Sequence, residues 1–158
     1  MCGIAGAIWW NPALVVSAEI LQRMTDSLRH RGPDAGGAWF QSPPDVSALT
    51  CTAPAVALGH RRLSIIDVSG SPQPLGNEDG SVQISFNGEI YNFRALRREL
   101  EGLGHSFTTH GDTEVLLEAW RRWGPNCVER LNGIFAFVVV DGRLGARVVE
   151  SLAAPKPQ

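Results

Sequence analysis

The sequence predicts an α+β domain in which helices pack on sheets. Apolar segments of strand length are interleaved with segments whose apolar residues recur at helical spacing, and two of the predicted helices fall between β segments. A length of 158 residues fits one domain. With 44% hydrophobic and 19% charged residues, the composition is typical of a globular core and argues against intrinsic disorder.

The first half of the chain is predicted to contain one helix between strands. Residues 3–10 form an apolar segment of strand length. Ser17 has the side chain of a helix N-cap and precedes apolar residues at helical spacing. A polar loop at residues 29–34 ends that pattern, and residues 37–41 and 56–66 have the character of strands.

The second half is predicted to contain two helices. Residues 81–86 alternate apolar and polar side chains like a half-buried strand, and Asn87-Gly88 is then expected to form a sharp turn. The first helix follows at residues 92–103 and ends at a glycine. The second begins at Asp112 or Thr113 and ends before a Gly-Pro pair.

The C-terminal part is predicted to be a β-hairpin followed by a tail. Residues 133–140 form a dense apolar strand, and Asp141-Gly142 is a hairpin signal leading into residues 143–149. The Pro-rich end of the chain predicts a disordered tail over residues 151–158.

Charge and cysteine content exclude several classes of function. The formal net charge of −2 argues against nucleic-acid binding, which needs a concentrated basic surface. No apolar run approaches the roughly 20 residues of a membrane helix, and no basic residue precedes Arg23 as a secretory signal requires. Three widely spaced cysteines and four histidines without ligand spacing argue against disulfides and metal sites. We therefore expect a cytoplasmic protein without a metal.

Cys2 is a candidate nucleophile. Removal of Met1 would leave Cys2 with both a thiol and a free α-amine, whose ordinary pKa of about 7.7–8.0 suits a general base near neutral pH. The amine belongs to the same residue as the thiol, so no histidine partner is needed. The alternative is a small buried residue, since free cysteine is among the most buried residue types.

Asn87 and Gly88 are candidate oxyanion donors. Glycine presents its N–H without a side chain in the way, and an asparagine amide supplies a second donor. Together they could stabilise a tetrahedral oxyanion. Taken alone, the pair is also explained by a simple Asn-Gly turn.

Arg62 and Asp112 together could recognise the zwitterionic end of a free amino acid. A guanidinium at Arg62 could bind a carboxylate in bidentate fashion, and Asp112 could receive an ammonium group. The alternatives are an ion pair at an edge strand for Arg62 and a helix N-cap for Asp112.

Seven ordered motifs are spread over residues 1–141. They are Met1-Cys2-Gly3-Ile4, Arg29-His30-Arg31-Gly32-Pro33-Asp34, Gly59-His60 through Asp67 with Arg62-Leu63-Ser64-Ile65, Gln73-Pro74-Leu75, Phe86-Asn87-Gly88-Glu89-Ile90-Tyr91-Asn92, Gly111-Asp112-Thr113-Glu114 and Leu131-Asn132-Gly133-Ile134-Phe135-Ala136-Phe137. As a set they resemble the N-terminal glutaminase domain of class II glutamine amidotransferases, in the branch of the glutamine-hydrolysing asparagine synthetases.

The resemblance implies an N-terminal nucleophile fold, an αββα sandwich of two antiparallel sheets, over residues 1–150. It implies that Cys2 attacks the side-chain amide of L-glutamine, forms a glutamyl thioester and releases ammonia. Asn87 and the Gly88 N–H would form the oxyanion hole, Arg62 would hold the substrate carboxylate and Asp112 its α-ammonium. Main-chain groups would complete the pocket, and these belong to Leu63, Ser64, Ile65, Ile66 and Glu89.

The sequence departs from the family in two places. The ATP-binding Ser-Gly-Gly-x-Asp-Ser loop of the synthetase domain is absent, so ATP and magnesium are not expected as cofactors of this domain. Residues 141–150 lack the family's Ala-Arg-Asp stretch and its continuation, so we expect the sandwich to be incomplete at its C-terminus.

Three interpretations remain open from the sequence. The chain is a glutaminase domain acting on L-glutamine, or a non-catalytic subunit that acts only with a separate synthetase subunit or as a homo-oligomer. A different N-terminal nucleophile amidase would explain Cys2 and Asn87, but would leave Arg62 and Asp112 without a purpose.

Overall fold

The computed structural model describes residues 2–11, 15–41, 54–63, 72–144 and 147–153, the side chains only as far as residue 143. The elements of these residues are β1 (Gly3–Trp9), α1 (Ala18–Asp26), β2 (Ala35–Gln41), β3 (Ala55–Arg62), β4 (Leu75–Gly76), β5 (Val82–Ile90), α2 (Phe93–Gly102), α3 (Asp112–Trp123), a 3-10 helix (Gly124–Arg130), β6 (Gly133–Asp141), a 3-10 turn (Gly142–Leu144) and β7 (Arg147–Ala153).

The strands form two antiparallel sheets. The first sheet has the order β1-β3-β2 and the second has the order β4-β5-β6-β7. Helix α1 packs on β1 and β3 of the first sheet, whereas α3 packs on β5 of the second, with α2 against it. The α+β class and the αββα sandwich predicted from the sequence are confirmed.

Helix α1 begins and packs as its sequence predicts. The Ser17 hydroxyl accepts a hydrogen bond from the Ile20 N–H at 3.2 Å, which caps the helix. Leu21 and Thr25 are buried against β3. A Cβ on Gly59 would lie 2.1 Å from the Thr25 hydroxyl, so a glycine is needed for the helix to lie this close to the sheet.

The main core lies between the second sheet and helices α2 and α3. Trp120 is its largest fully buried side chain, and its indole N–H donates to the Asp141 carboxylate at 2.9 Å. A much smaller apolar layer joins the two sheets, through Val56, Leu58 and Val140. The second sheet with its helices therefore carries most of the buried apolar surface.

The predicted turn at Asn87-Gly88 is wrong. Strand β5 continues through both residues, and they lie opposite Ala136 and Phe135 of β6. Gly88 is required by close approach instead, since a Cβ there would lie 2.3 Å from the Ile134 carbonyl oxygen. The Asn-Gly pair thus serves a tight contact between strands rather than a reversal of the chain.

The hairpin predicted at Asp141-Gly142 is confirmed, since β7 pairs antiparallel with β6. Backbone pairing carries β7 to Ala153, three residues into the segment that was predicted to be a tail from residue 151. The predicted tail is therefore wrong for residues 151–153, while residues 154–158 lie outside the described residues.

His60 and Ser85 form a polar link between the two sheets. The Nδ1 atom of His60 lies 3.0 Å from the Ser85 hydroxyl, and the histidine is fully buried. Burial, together with the charge of Arg62, lowers the pKa of His60 from 6.5 to about 4. The imidazole in this link is therefore neutral at pH 7.

We expect acidification to weaken the fold through His60. Between pH 6.5 and about 4 the unfolded chain binds a proton that the buried imidazole does not, so stability falls as the pH is lowered. The His60 contribution to the fall between pH 7 and pH 5 is about 2 kcal/mol. Urea unfolding of the wild type and His60→Gln at both pH values measures it as a difference between the two proteins.

The control for this measurement is His30→Gln, because His30 is exposed. This variant should retain the pH dependence of the wild type. An equally steep pH dependence in His60→Gln would show that another group is responsible.

Candidate active site

Cys2 lies at the end of β1, beside the residues that follow β3. The antiparallel register places Gly3 opposite Arg61, which brings Cys2 next to Leu63. The Leu63 N–H donates to the Cys2 sulfur at 3.3 Å, and the thiol lies 3.7 Å from the Leu63 carbonyl oxygen. The main chain of Leu63 therefore holds the sulfur in place.

The loop at residues 29–34 supports Cys2 from the other side. The Nε of Arg31 donates to the Cys2 carbonyl at 3.2 Å. The loop itself is fixed on β3, because the Arg61 Nε donates to the Gly32 carbonyl at 3.0 Å and a Cβ on Gly32 would collide with the Arg61 carbonyl. No role for Arg31 is predicted from the sequence, because its contact with the Cys2 carbonyl joins residues 29 positions apart and leaves no local pattern.

Cys2 and Asn87 line one cleft of about 590 Å³ between the two sheets. Asn87 lies on the face of β5 that carries Ser85, the partner of His60, and therefore points towards the first sheet. Its Oδ1 atom is buried and has no hydrogen-bond partner among the described residues. Arg31 and Ala136 also line this cleft.

The N–H of Gly88 points to the other edge of β5. The Tyr91 N–H, directly after β5, donates to the Asn132 carbonyl at 2.7 Å. In an antiparallel pair every second N–H of a strand points to the partner strand. Gly88 is three positions before Tyr91, so its N–H points away from β6. Strand β4 covers that second edge only at Gln83 and Ile84. The Gly88 N–H therefore faces a part of the edge that no described strand covers.

Two side chains bind the N–H groups on either side of Gly88. The Phe86 N–H donates to Oε1 of Gln73 at 2.8 Å. The Ile90 N–H donates to Oδ2 of Asp112 at 3.0 Å. The Gly88 N–H is thus flanked by two anchored backbone positions on the same edge.

Asp112 does not cap α3, contrary to one of the two interpretations of the sequence. Gly111 occupies the N-cap position and Asp112 is the first helical residue, only 6% exposed. Burial raises the pKa of the Asp112 carboxyl, the Ile90 N–H opposes that shift, and the charge of Glu89 adds to it. The charged form of this carboxylate is therefore disfavoured by its burial.

The segment before Asp112 is tied down by Glu114. Its carboxylate accepts hydrogen bonds from the main chain and hydroxyl of both Thr108 and Thr109, at 2.6 to 2.9 Å. These bonds lower the pKa of Glu114 against the opposing effect of burial. Asp112 therefore stands at the end of a rigid loop.

Arg62 lies beside a second cavity, of about 310 Å³, which His60 and Gln73 also line. It is not among the residues that line the cleft of Cys2 and Asn87. Glu89 is exposed next to Gly88. The structure thus brings Cys2, Leu63 and Asn87 together and places Asp112 near Gly88, while the predicted residues Ser64, Ile65 and Ile66 lie outside the described part of the chain.

Two further observations concern the described residues. They contain no group of three or more His, Cys, Asp or Glu side chains placed to hold a metal ion. None of their helices has the length and apolar character of a membrane span.

Solved structures with a similar fold include an amidotransferase. The glutamine phosphoribosylpyrophosphate amidotransferase from Bacillus subtilis, in complex with ADP and GMP, matches with a TM-score of 0.61 and 25% identity over 87% of this chain and 35% of its own. A structure described as the allosteric regulatory enzyme of purine biosynthesis matches with a TM-score of 0.64 and 24% identity, over 94% and 37%. The fold is therefore that of the N-terminal nucleophile amidotransferases.

The sequence comparisons agree with the fold. A family model described as a glutamine amidotransferase domain matches residues 1–150. Glutamine-hydrolysing asparagine synthetase 3 of Bacillus subtilis is 40% identical over 143 residues, 89% of this chain and 21% of that protein. Asparagine synthetase 1 of the same species is 40% identical over 141 residues, and asparagine synthetase 3 of Arabidopsis thaliana is 37% identical over 143.

The chain belongs to the glutamine amidotransferase domain family, as the resemblance predicted. It spans about a fifth of the length of the curated relatives that it matches.

We expect Asp112→Asn to stabilise the fold at pH 7. Burial raises the pKa of this carboxyl, so its charge costs folding free energy at neutral pH, and the amide oxygen of Asn can still accept the Ile90 N–H. The gain should disappear below the ordinary carboxyl pKa of 3.8, where Asp112 is protonated in both states. Thermal unfolding midpoints at pH 7 and pH 3.5 measure the difference.

Asp79→Asn is the control, because the pKa of the Asp79 carboxyl is shifted in the opposite direction to that of Asp112. Hydrogen bonds from Ser81 lower the pKa of the exposed Asp79 carboxyl, so removing its charge at pH 7 brings no gain. A lower midpoint for Asp112→Asn than for the wild type at pH 7 would contradict the expectation.

Proposed function

We propose that this chain hydrolyses L-glutamine to L-glutamate and ammonia through a thioester on Cys2. The observation that carries the proposal is that Cys2 and Asn87, 85 positions apart in the sequence, line one cleft between the sheets. Membership of the glutamine amidotransferase domain family supports the choice of glutamine as the substrate.

The chemistry requires a nucleophile and a base, and Cys2 is proposed to supply both. Once Met1 is removed, the α-amine of Cys2 takes the thiol proton and the sulfur attacks the side-chain amide carbon of glutamine. The tetrahedral intermediate collapses to a glutamyl thioester, and the proton leaves with ammonia. Water then attacks the thioester, which releases glutamate and restores the thiol.

The oxyanion of each tetrahedral intermediate is proposed to bind the Asn87 side-chain amide and the Gly88 N–H. The Asn87 side chain is in the Cys2 cleft, and the Gly88 N–H faces an edge of β5 that no described strand covers. Preorganised donors of this kind supply a few kcal/mol of stabilisation where charge develops. The reaction needs no metal or organic cofactor, since the thiol and these donors suffice.

The amino-acid end of glutamine is proposed to lie between Arg62 and Asp112. Arg62 would bind the α-carboxylate, and the buried Asp112 would bind the α-ammonium, whose charge relieves the cost of burying the carboxylate. Main-chain groups of the segment from Leu63 to Ile66 and of Glu89 would complete the pocket.

The acceptor of the ammonia is proposed to lie in a synthetase domain, as the names of the relatives indicate for those proteins. That domain would be a separate subunit or a further part of a longer protein, and ATP and magnesium would belong to it. A reducing cytoplasm would keep the Cys2 thiol free for catalysis.

We expect Cys2→Ala to abolish ammonia release. The wild-type preparation is one whose intact mass shows that Met1 has been removed, and glutamine-dependent ammonia is measured by a coupled assay. Cys127→Ala is the control, because burial raises the pKa of the Cys127 thiol to about 12 and keeps it protonated. Turnover by Cys2→Ala equal to that of the wild type would exclude the thioester mechanism. Silence from the folded wild type would favour the subunit that acts only with a synthetase partner.

We expect Arg62→Ala to raise the KM for glutamine by about 10- to 100-fold, the range for loss of a hydrogen-bonded charge pair. The kcat should change less, because Arg62 is proposed to bind the carboxylate and not the reacting amide. Arg62→Lys keeps the charge without the bidentate geometry, so its KM should lie between those of the wild type and Arg62→Ala. A fall in kcat at unchanged KM would assign Arg62 another role.

A further inference from the structure

We propose that Gln73 is a positioning residue for the ammonium end of the glutamine pocket. Its side-chain amide joins the uncovered edge of β5 to the first turn of α3 and thereby sets the position of Asp112 relative to Gly88. The inference rests on the proposed function, since it concerns recognition of glutamine at that site.

The Gln73 amide uses both of its ends. Oε1 accepts the Phe86 N–H at 2.8 Å, and Nε2 donates to the Thr113 hydroxyl at 3.0 Å. A backbone N–H can only donate, so the amide oxygen must face Phe86 and the amide nitrogen must face Thr113. The first contact is one residue away from Asn87, and the second is one residue away from Asp112.

A second tie completes the arrangement. Asp112 accepts the Ile90 N–H at 3.0 Å, so α3 is bound to β5 on both sides of Gly88. With only one of these hydrogen bonds, the first turn of α3 would be bonded to β5 on one side of Gly88 alone. With both, the Asp112 carboxylate is held at one distance from the Gly88 N–H.

Gln73 is itself anchored on the first sheet. A Cβ on Gly37 of β2 would lie 1.9 Å from the Gln73 carbonyl oxygen, so the main chain of Gln73 rests directly on that strand. Gln73 also lines the 310 Å³ cavity together with Arg62. One residue therefore contacts the surroundings of both charged groups proposed to bind the ends of the amino acid.

Loss of the Gln73 amide should affect the ammonium end more than the oxyanion donors. Asn87 stays paired with Ala136 through the β5–β6 ladder, which does not involve Gln73. The first turn of α3, in contrast, loses one of its two ties to β5. The enzyme should therefore lose its preference for substrates that carry the α-ammonium, while its activity on substrates without that group should be retained.

The test compares L-glutamine with glutaramate, which keeps the carboxylate and the side-chain amide but lacks the α-ammonium. In Gln73→Met, which retains the volume of the side chain, kcat/KM for glutamine should fall about tenfold. The value for glutaramate should change less than twofold. Equal falls for both substrates, or an unchanged value for glutamine, would overturn the proposal.

The control variant is Asn77→Ala. Asn77 also binds the β5 edge, with Oδ1 accepting the Val82 N–H at 2.9 Å, but its Nδ2 donates to Ser81 and not to α3. It should leave the ratio of kcat/KM between the two substrates unchanged. A change in that ratio equal to the change in Gln73→Met would assign the effect to the edge of β5 in general and overturn the role of the α3 contact.

A second readout does not depend on catalysis. Amide hydrogen exchange at Ile90 should accelerate at least tenfold in Gln73→Met and stay at the wild-type rate in Asn77→Ala, because only Gln73→Met removes the second hydrogen bond that holds the turn carrying its acceptor Asp112. If the wild type hydrolyses neither substrate, the proposed function fails and exchange alone decides the positioning role. Unchanged exchange at Ile90 in Gln73→Met would overturn it.

Discussion

The uncovered edge of β5 is the constraint around which the site is arranged. Strand β4 pairs with only two residues of β5, so the N–H groups of Phe86, Gly88 and Ile90 need other acceptors. Gln73 and Asp112 supply two of them from side chains. In the proposed mechanism the third acceptor is the oxyanion of the substrate. A short partner strand thus leaves a backbone donor where the chemistry needs one.

The nucleophile depends on a different kind of constraint, the close approach of main chains. Cys2 is held by the main chain of Leu63 and by Arg31, both positioned where β3 meets the loop at residues 29–34. Gly32 permits that approach, because any side chain would collide with β3. Packing of the two sheets then places Cys2 of the first sheet and Asn87 of the second in one cleft. The apolar layer between the sheets is small and does not fill this cleft.

The buried polar groups near the site oppose the stability of the fold. His60 is held neutral between the sheets, and the pKa of Asp112 is raised by its burial. Each shift means that the folded state disfavours the charged form of the group, which water stabilises. The large core behind the second sheet, centred on Trp120, stabilises the fold on the side away from the cleft. The main core and the cleft lined by Cys2 and Asn87 thus lie on opposite faces of the same sheet.

The sequence by itself determined the α+β class, the helices with Ser17 and Gly124 at their ends, and the family, because local spacing and ordered motifs carry that information. Only the tertiary structure decided that β5 runs through Asn87-Gly88 and that Asp112 binds the strand instead of capping its helix. It also decided that Arg31 binds the Cys2 carbonyl and that Gln73 joins β5 to α3. The physical reason is that local sequence preference does not distinguish the alternatives. An Asn-Gly pair can form a turn or lie within a strand, and an Asp at the start of a helix can cap the helix or bind a neighbouring strand. The choice is made by a strand that is distant in sequence, which is β6 for Asn87-Gly88 and β5 for Asp112.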